Sequence, residues 1–171
     1  TGTISKKHKV YDHLSNTIKT LNYKKQNELL KLICNQELIN YKSLCLSWEE
    51  VIKLSKNPLI TIGCHTNTHS SLKYLTNEEI YFELYDSKKL IEENINQKVN
   101  HLAYPYGTRN DVSKEINNLA KKYGYKSAVE TTITVLNHEE QLFSLPRIST
   151  YDSNSQKIES KLSGLDNFIF S

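Results

Sequence analysis

The chain has 171 residues, and at roughly 150 residues per domain this length predicts a single domain over residues 1–171. Lysine and arginine number 22 and aspartate and glutamate 19, so the formal net charge is 22 − 19 = +3. This balance argues against the basic footprint of a nucleic-acid-binding protein. No segment approaches the roughly 18 consecutive apolar residues that a membrane span needs.

The start of the chain carries no initiator methionine, because the sequence has no methionine at all. We therefore expect a processed product or a piece of a longer protein. The opening residues 1–5 (TGTIS) are β-branched and predict the end of a strand.

The first half of the chain predicts helices and one strand. Apolar residues between positions 14 and 34 recur at helical spacing and predict one interrupted helix or two short ones. A capping box at Ser47 and Glu50 predicts a further helix that ends before the proline at position 58. The apolar run over residues 59–62 then predicts a buried strand.

Strand and helix alternate in the second half of the chain. A capping box that begins at Thr76 predicts the longest helix, which continues to about Asn96. The elements expected after it are a strand over 99–104, a helix capped by Asn110 or Asp111 and ended by Gly124, strands over 125–130 and 145–150, and a helix over 155–163. This alternation is typical of an α/β protein with a mainly parallel sheet. The strands are too few for a closed (β/α) barrel, which takes about 250 residues, so either the sheet is open or its first strands lie upstream of Thr1.

Two histidines, His65 and His69, follow directly after the predicted strand over residues 59–62. The carboxyl ends of strands are where α/β folds place ligand sites. Two imidazoles at this spacing can reach one metal ion, although a catalytic zinc commonly takes three protein ligands and a water. The alternative is an exposed polar loop that happens to contain two histidines.

The segment LAYPYG, residues 102–107, marks the end of the next predicted strand. Pro105 and Gly107 favour a fixed turn there. Such a turn can direct a backbone N–H at a substrate oxygen, and its tyrosines, Tyr104 and Tyr106, can stack on a sugar ring. The alternative is an ordinary strand-to-helix turn with aromatic packing.

Taken together, these segments and their order resemble the polysaccharide deacetylases of the NodB-homology type, carbohydrate esterase family 4. The segment ITIGCHTNTHSSLKYLT, residues 60–76, is similar to the histidine motif of that family. HLAYPYG, residues 101–107, is similar to its following strand-end motif, in the form seen in the biofilm-polysaccharide deacetylase branch. LPRI, residues 145–148, follows near the end, and the resemblance runs over residues 46–164.

The resemblance implies metal-dependent removal of N-acetyl groups from a polysaccharide or oligosaccharide of N-acetylhexosamine, on an incomplete or distorted (β/α)7 barrel. His65 and His69 would be two of the three ligands of a divalent metal, with Zn²⁺ as the expected ion. Tyr106 would offer its backbone N–H to the acetyl oxygen, and Tyr104 and Pro105 would belong to the substrate-binding turn.

One motif of the family has no match in this chain. The family's Thr-Phe-Asp-Asp-Gly-like segment supplies the catalytic base and the third metal ligand, so we expect the first strand to lie upstream of Thr1 and the chain alone to hydrolyse little. Arg147 would orient the aspartate of that segment, and a surface ion pair is the alternative reading. The strand-end position that usually holds arginine is Ala103. Two other functions stay open: a catalytically inactive carbohydrate-binding relative, and a metal-stabilised interaction module without a sugar ligand.

Overall fold

The computed structural model describes residues 3–33, 44–132, 141–148 and 158–159 of the chain. Its helices are α1 (Ile4–Lys19), α2 (Tyr23–Ile33), α3 (Trp48–Ser55), α4 (Asn77–Tyr81), α5 (Ser87–Ile95) and α6 (Lys114–Lys122), and its strands are β1 (His101–Ala103) and β2 (Ser127–Val129). The predicted mixture of helix and strand is confirmed. Most of the helix predicted over 155–163 lies outside the described residues.

The N-terminal region is helical, so the strand end predicted for residues 1–5 is wrong where the structure describes it. Thr3 is the N-cap of α1, and its carbonyl accepts a hydrogen bond from the Lys7 N–H at 3.1 Å. A β-branched residue prefers a strand only when a neighbouring strand can pack beside it, so this preference is easily overridden. Of the two alternatives predicted within 14–34, one interrupted helix or two short ones, the structure has two separate helices, the end of α1 and the whole of α2, and α1 begins earlier than predicted, at Ile4. Neither helix has a buried residue.

The longest helical segment begins at the predicted capping box. The Thr76 hydroxyl accepts from the Glu79 N–H, and the Glu79 carboxylate accepts from the Thr76 N–H at 2.9 Å. From α4 the chain passes through a π-helical turn, Phe82–Asp86, into α5, which ends at Asn96 with a left-handed φ of 52°. The predicted start and end are thus confirmed. The capping box predicted at Ser47 and the start of α3 is confirmed as well.

The sheet is parallel and lies at the centre of the described residues. β1 and β2 pair with Leu102 opposite Ala128. Isolated parallel bridges extend the sheet on both sides, from Cys64 to Leu102 and from Leu145 to Val129. The order across the sheet is therefore the Cys64 segment, β1, β2 and the Leu145 segment, and because all four are parallel, their carboxyl ends lie at one edge.

The outer strands are shorter than predicted. Residues 59–62 do not form a buried strand, because the side chain of Leu59 is 92% exposed and only Cys64 pairs with β1. Of the strand predicted over 145–150, Leu145 alone forms a bridge, and residues 149–150 lie outside the described ranges. A strand at the edge has a partner on one side only, so its pairing ends sooner than a pattern of apolar residues suggests.

The cap of α6 also differs from the prediction. Ser113, rather than Asn110 or Asp111, is the N-cap, and its hydroxyl accepts a hydrogen bond from the Ile116 N–H at 3.4 Å. The predicted end of this helix is confirmed, since Gly124 has a φ of +82° directly after the C-cap.

The core is formed by the sheet and by the helical segments from α4 to α6. Its apolar members are Cys64, Leu72, Ile80, Leu84, Ile95, Val99, Leu102, Tyr104, Ile116, Ala120, Tyr125 and Ala128. A buried ion pair lies beside them, with Lys88 Nζ 3.2 Å from Glu92 Oε1. Glu92 also accepts a hydrogen bond from the Val99 N–H at 3.0 Å, so the pair ties α5 to the segment that enters β1. None of the helices within the described ranges combines the length and the apolar character that crossing a membrane would need.

Candidate functional site

The two histidines lie together at the carboxyl edge of the sheet. Their ring centroids are 4.8 Å apart and the ring planes meet at 78°. The Nδ1 atom of His65 is 2.7 Å from the carbonyl oxygen of Ala103. Because a carbonyl can only accept, Nδ1 carries a proton, and in the neutral form of the ring the lone pair therefore lies on Nε2. The neutral tautomer that binds a metal through Nε2 is therefore the one that β1 selects.

The backbone of the histidine loop is held in an uncommon conformation. Thr66 and His69 both have left-handed φ values, 67° and 59°. The Thr66 hydroxyl accepts a hydrogen bond from the His69 N–H at 3.1 Å, which stabilises the turn between them. Left-handed conformations at residues other than glycine concentrate at functional sites, where the surrounding structure enforces them.

The buried carboxylate of Glu83 holds the histidine loop through hydrogen bonds. Glu83, in the π-helical turn, is 3% exposed and accepts hydrogen bonds from the backbone N–H groups of Asn67 at 2.8 Å and Thr68 at 2.9 Å. It also accepts from the Thr68 hydroxyl. Glu83 was not among the residues predicted for the site. Its position three residues after Ile80, on the inward face of the helix, is the signal in the sequence that marks it.

The turn after β1 is the second half of the site. Tyr106 and Gly107 have left-handed φ values of 60° and 63°. Thr131 holds the turn, since its hydroxyl donates to the Tyr106 carbonyl and its N–H donates to the Gly107 carbonyl, both at 2.8 Å. A Cβ at Gly107 would meet the Thr131 nitrogen at 3.0 Å. Among the described residues, none accepts a hydrogen bond from the Tyr106 N–H, which leaves this donor available to a ligand.

Three of the predicted site residues meet. The Tyr106 ring centroid is 5.2 Å from that of His69, which in turn contacts His65. Partial burial, together with the neighbouring His65, lowers the pKa of His69, so this imidazole is neutral at neutral pH. The two imidazoles and the Tyr106 ring therefore lie together at one edge of the sheet.

Tyr104 and Pro105 are interior residues. Tyr104 is 1% exposed, its hydroxyl donates to the Asn117 side chain at 2.9 Å, and burial raises the pKa of that hydroxyl. A ring buried in this way offers no face to a sugar, so the substrate-binding role predicted for Tyr104 does not fit its position. Tyr106 is the tyrosine of this turn that faces solvent.

Arg147 lies at the outer side of the sheet, beyond β2. Its Nε donates to the Glu130 carbonyl at 2.9 Å and its N–H to the Thr132 carbonyl at 3.3 Å. Within the residues that the structure describes, it forms no ion pair with a carboxylate. Neither of these two hydrogen bonds of Arg147 reaches the histidine loop.

Asp111 is a buried acceptor and not the helix cap that its position predicts. It is 3% exposed, its Oδ1 lies 2.5 Å from Lys19 Nζ, and its Oδ2 accepts from the Thr108 hydroxyl at 2.5 Å. Burial raises the pKa of Asp111, but the hydrogen bonds from Lys19 and Thr108 outweigh it, so the pKa of this carboxyl is lowered. Lys19 also lies 4.7 Å from the centroid of the Tyr106 ring. The ion pair of Lys19 and Asp111 could not be predicted from the sequence, because the two residues are distant in the chain.

The histidine pair fits a metal site only in part. Neutral imidazoles are good zinc ligands, and a catalytic zinc commonly takes three protein ligands. Across residues 3–33, 44–132, 141–148 and 158–159, no group of three or more histidine, cysteine, aspartate or glutamate residues is placed to hold a metal. His65 and His69 could supply two ligands to a metal, and the described residues place no third candidate ligand with them.

Comparison with known proteins gives a consistent result. A family model described as polysaccharide deacetylase matches residues 7–128. Among solved structures, a polysaccharide deacetylase from Bacillus cereus has 24% identity and a TM-score of 0.60 over 69% of this chain and 37% of its own. The deacetylase PplD from Streptococcus pyogenes, solved in complex with acetate, has 21% identity and a TM-score of 0.60 over 68% of this chain and 50% of its own. A de-N-acetylase from Aggregatibacter actinomycetemcomitans has 15% identity and a TM-score of 0.56 over 74% of this chain and 58% of its own.

These structural likenesses show the fold, and the chain spans 37% and 50% of the length of the first two neighbours. No curated protein sequence matches the chain. The family model covers well over half of the 171 residues and includes both the histidine loop and the Tyr106 turn. The chain belongs to the polysaccharide deacetylase family.

Proposed function

We propose that this chain is part of a metal-dependent hydrolase that removes N-acetyl groups from N-acetylhexosamine units of a polysaccharide or oligosaccharide. The observation that carries the proposal is the convergence of His65, His69 and Tyr106, with ring centroids 4.8 and 5.2 Å apart. Membership of a family of deacetylases that generally depend on a metal supports it.

In this proposal His65 and His69 hold the metal, with Zn²⁺ as the expected ion. The hydrogen bond from His65 Nδ1 to Ala103 keeps the ring in the orientation and tautomer that present Nε2. When bound, the metal polarises the amide carbonyl and lowers the pKa of a bound water. Two imidazoles alone bind zinc weakly, so the third ligand must come from residues beyond the described ones.

Tyr106 supplies the donor for the acetyl oxygen. Its N–H has no acceptor among the residues that the structure describes, and Thr131 fixes the peptide groups on either side of Gly107. A donor that is already oriented stabilises the negative charge that develops on the oxygen during attack on the amide, because it needs no reorganisation at that moment. The exposed Tyr106 ring lies beside this donor and can contact the sugar.

The catalytic base and the third metal ligand are assigned to the family's first motif, the Thr-Phe-Asp-Asp-Gly-like segment. We propose that the carboxylates of that motif provide the catalytic base and the third metal ligand, and that Arg147 orients the base. We further propose that residues 1–171 belong to one domain, a distorted (β/α)7 barrel, in the biofilm-polysaccharide branch of the family. The similarity of HLAYPYG, residues 101–107, to the strand-end motif of that branch supports the last point.

A second candidate function is a catalytically inactive relative that binds carbohydrate. It is favoured because, within the described residues, His65 and His69 have no third candidate metal ligand beside them. In that case the Tyr106 turn would hold a glycan and no acetate would be released.

The decisive experiment measures acetate release from N-acetylglucosamine oligomers, with added zinc and with a chelator. It compares the 171-residue chain with the same chain joined to any coding sequence that precedes Thr1 in its gene. We expect metal-dependent release from the longer protein and little from the shorter. Substantial release by the shorter chain would refute an upstream base, and glycan binding that survives chelation without acetate release would favour the inactive relative.

A further inference from the structure

We propose that Lys19 is a positioning residue that joins helix α1 to both loops of the candidate site. It does so through the buried carboxylate of Asp111 and through the ring of Tyr106. The catalytic consequence of this contact rests on the proposed deacetylase function, whereas the contact itself can be tested without any activity.

Asp111 links the two loops of the site. Its Oδ1 accepts from the hydroxyl of Ser71 at 3.4 Å, and Ser71 lies two residues after His69. Its Oδ2 accepts from the N–H of Thr108 at 3.2 Å, two residues after Tyr106. The only cation within salt-bridge distance of this carboxylate, among the described residues, is Lys19 at 2.5 Å. Lys19 therefore supplies the charge that lets a buried carboxylate hold both loops.

The same ammonium group contacts Tyr106 directly. Lys19 Nζ lies 4.7 Å from the centroid of the ring, within the range of a cation–π interaction. The Tyr106 ring meets His69 at 5.2 Å, edge to face. The ring is thus held between the ammonium and an imidazole, which restricts the orientation of a residue whose backbone is already left-handed.

The position of Lys19 gives it an electrostatic effect as well. Its side chain is 24% exposed, so its charge is only partly screened by solvent. The charge lies next to the turn that presents the Tyr106 N–H, where the proposed reaction places negative charge on the acetyl oxygen. Helix α1 has no buried residue, and the ion pair of Lys19 with Asp111 ties the end of this helix to the site. Three residues beyond Lys19, the Asn22 amide donates to the Glu79 carboxylate at 2.7 Å.

The test uses Lys19→Met, which keeps the length of the side chain and removes its charge, and Lys19→Arg, which restores the charge. Lys9→Met, an exposed lysine of the same helix, is the matched control. NMR spectra record the Tyr106 ring signal, assigned by loss of that signal in Tyr106→Phe, and circular dichroism checks the fold. In the longer protein with zinc, kcat and KM for acetate release are measured for each variant.

We expect Lys19→Met and Asp111→Asn to shift the Tyr106 signal, and Lys9→Met to leave it in place. We expect Lys19→Met to lower kcat about tenfold, with KM changed by less than about twofold, and Lys19→Arg to restore most of the loss. An unchanged Tyr106 signal in Lys19→Met overturns the contact, and a shifted signal with an unchanged kcat overturns the positioning role. If the wild-type longer protein releases no acetate, the proposed function fails, and the ring signal alone then decides whether Lys19 positions the turn.

Discussion

The Nδ1 atom of His65 lies 2.7 Å from the carbonyl oxygen of Ala103, the last residue of β1. Cys64 and Leu102 form a parallel bridge, so the residues that follow them, His65 and Ala103, lie side by side at the end of the sheet. Because the acceptor is a backbone oxygen, the orientation of the imidazole does not depend on the side chain at position 103. Ala103 is therefore compatible with a well-oriented His65, even though the deacetylase family that the sequence resembles usually has arginine at this position.

The first prediction concerns zinc binding by the two histidines. His65→Ala and His69→Ala should each lower zinc affinity by far more than the 10–100-fold typical of outer-shell changes, because each removes a ligand. His101→Ala is the control, since His101 is exposed and its Nδ1 contacts the Ser127 hydroxyl. Zinc affinity is measured by competition with a chelating dye. Normal zinc binding in both site variants would restore the interpretation of an exposed polar loop.

The second prediction concerns the carboxylate beneath the histidine loop. Glu83→Gln should lower the free energy of unfolding by about 2 kcal/mol, because a charged acceptor of two backbone N–H groups and a hydroxyl is lost in a buried position. Urea denaturation monitored by circular dichroism provides the value. The exposed Glu78 is the matched control, and Glu78→Gln should change stability by less than about 0.5 kcal/mol. Equal effects of the two substitutions would show that Glu83 does not anchor the loop.

The third prediction compares two glycines with similar backbone angles. Gly107→Ala and Gly124→Ala both place an alanine at left-handed φ, +63° and +82°, which costs about 1 kcal/mol or more. Only at Gly107 would the new Cβ also meet other atoms, at 3.0 Å from the Thr131 nitrogen and 3.2 Å from the Tyr104 oxygen. Thermal unfolding should therefore show a larger loss for Gly107→Ala. A larger loss at Gly124 would contradict the close packing of the Tyr106 turn.

The parts of the site that could be predicted are those with a local signal. His65 and His69 follow the bridge residue Cys64, Tyr106 follows β1, and the carboxyl ends of parallel segments meet at one edge. The capping boxes at Ser47 and Thr76 could be predicted for the same reason, because a cap and its partner lie three residues apart.

The parts that could not be predicted depend on contacts between distant segments. Lys19 and Asp111 form an ion pair that no spacing in the sequence indicates. The extent of the strand at residues 59–62 depends on whether another strand lies beside it, which is a property of the sheet. The burial of Tyr104 follows from the same cause, since alternation along a strand does not say which face a helix will cover.

The fourth prediction is a pH dependence that arises from the buried pair of Lys88 and Glu92. Burial raises the pKa of Glu92, but the hydrogen bond from Val99 and the contact with Lys88 outweigh it, so this pKa is lowered. A lowered pKa in the folded state contributes stability above the unfolded pKa of about 4.3, and this stability is lost as the pH falls through the folded value.

Glu92→Gln should therefore cost about 3 kcal/mol at pH 7, because it removes the charge that faces the buried Lys88 ammonium, whose other acceptors are the uncharged carbonyls of Val99 and Gly124. The difference from wild type should shrink as the pH falls below about 4. Urea denaturation at a series of pH values gives the comparison, with the exposed Glu93→Gln as the control. A difference that stays constant with pH would mean that Glu92 does not act through its charge.

The absence of buried residues from α1 and α2 has a consequence for amide hydrogen exchange. Helices that contribute nothing to the core can undock in a sub-global opening whose free energy is well below that of complete unfolding. Their amide protons should then exchange faster than those of β1 and β2. In the undocked form Lys19 leaves Asp111 and Tyr106, while the histidine loop keeps its own hydrogen bonds to Glu83 and Ala103. The folded molecule would thus interconvert between a form of the site that has the Lys19 charge beside Asp111 and Tyr106 and a form that lacks it. The populations of the two forms would depend on ionic strength.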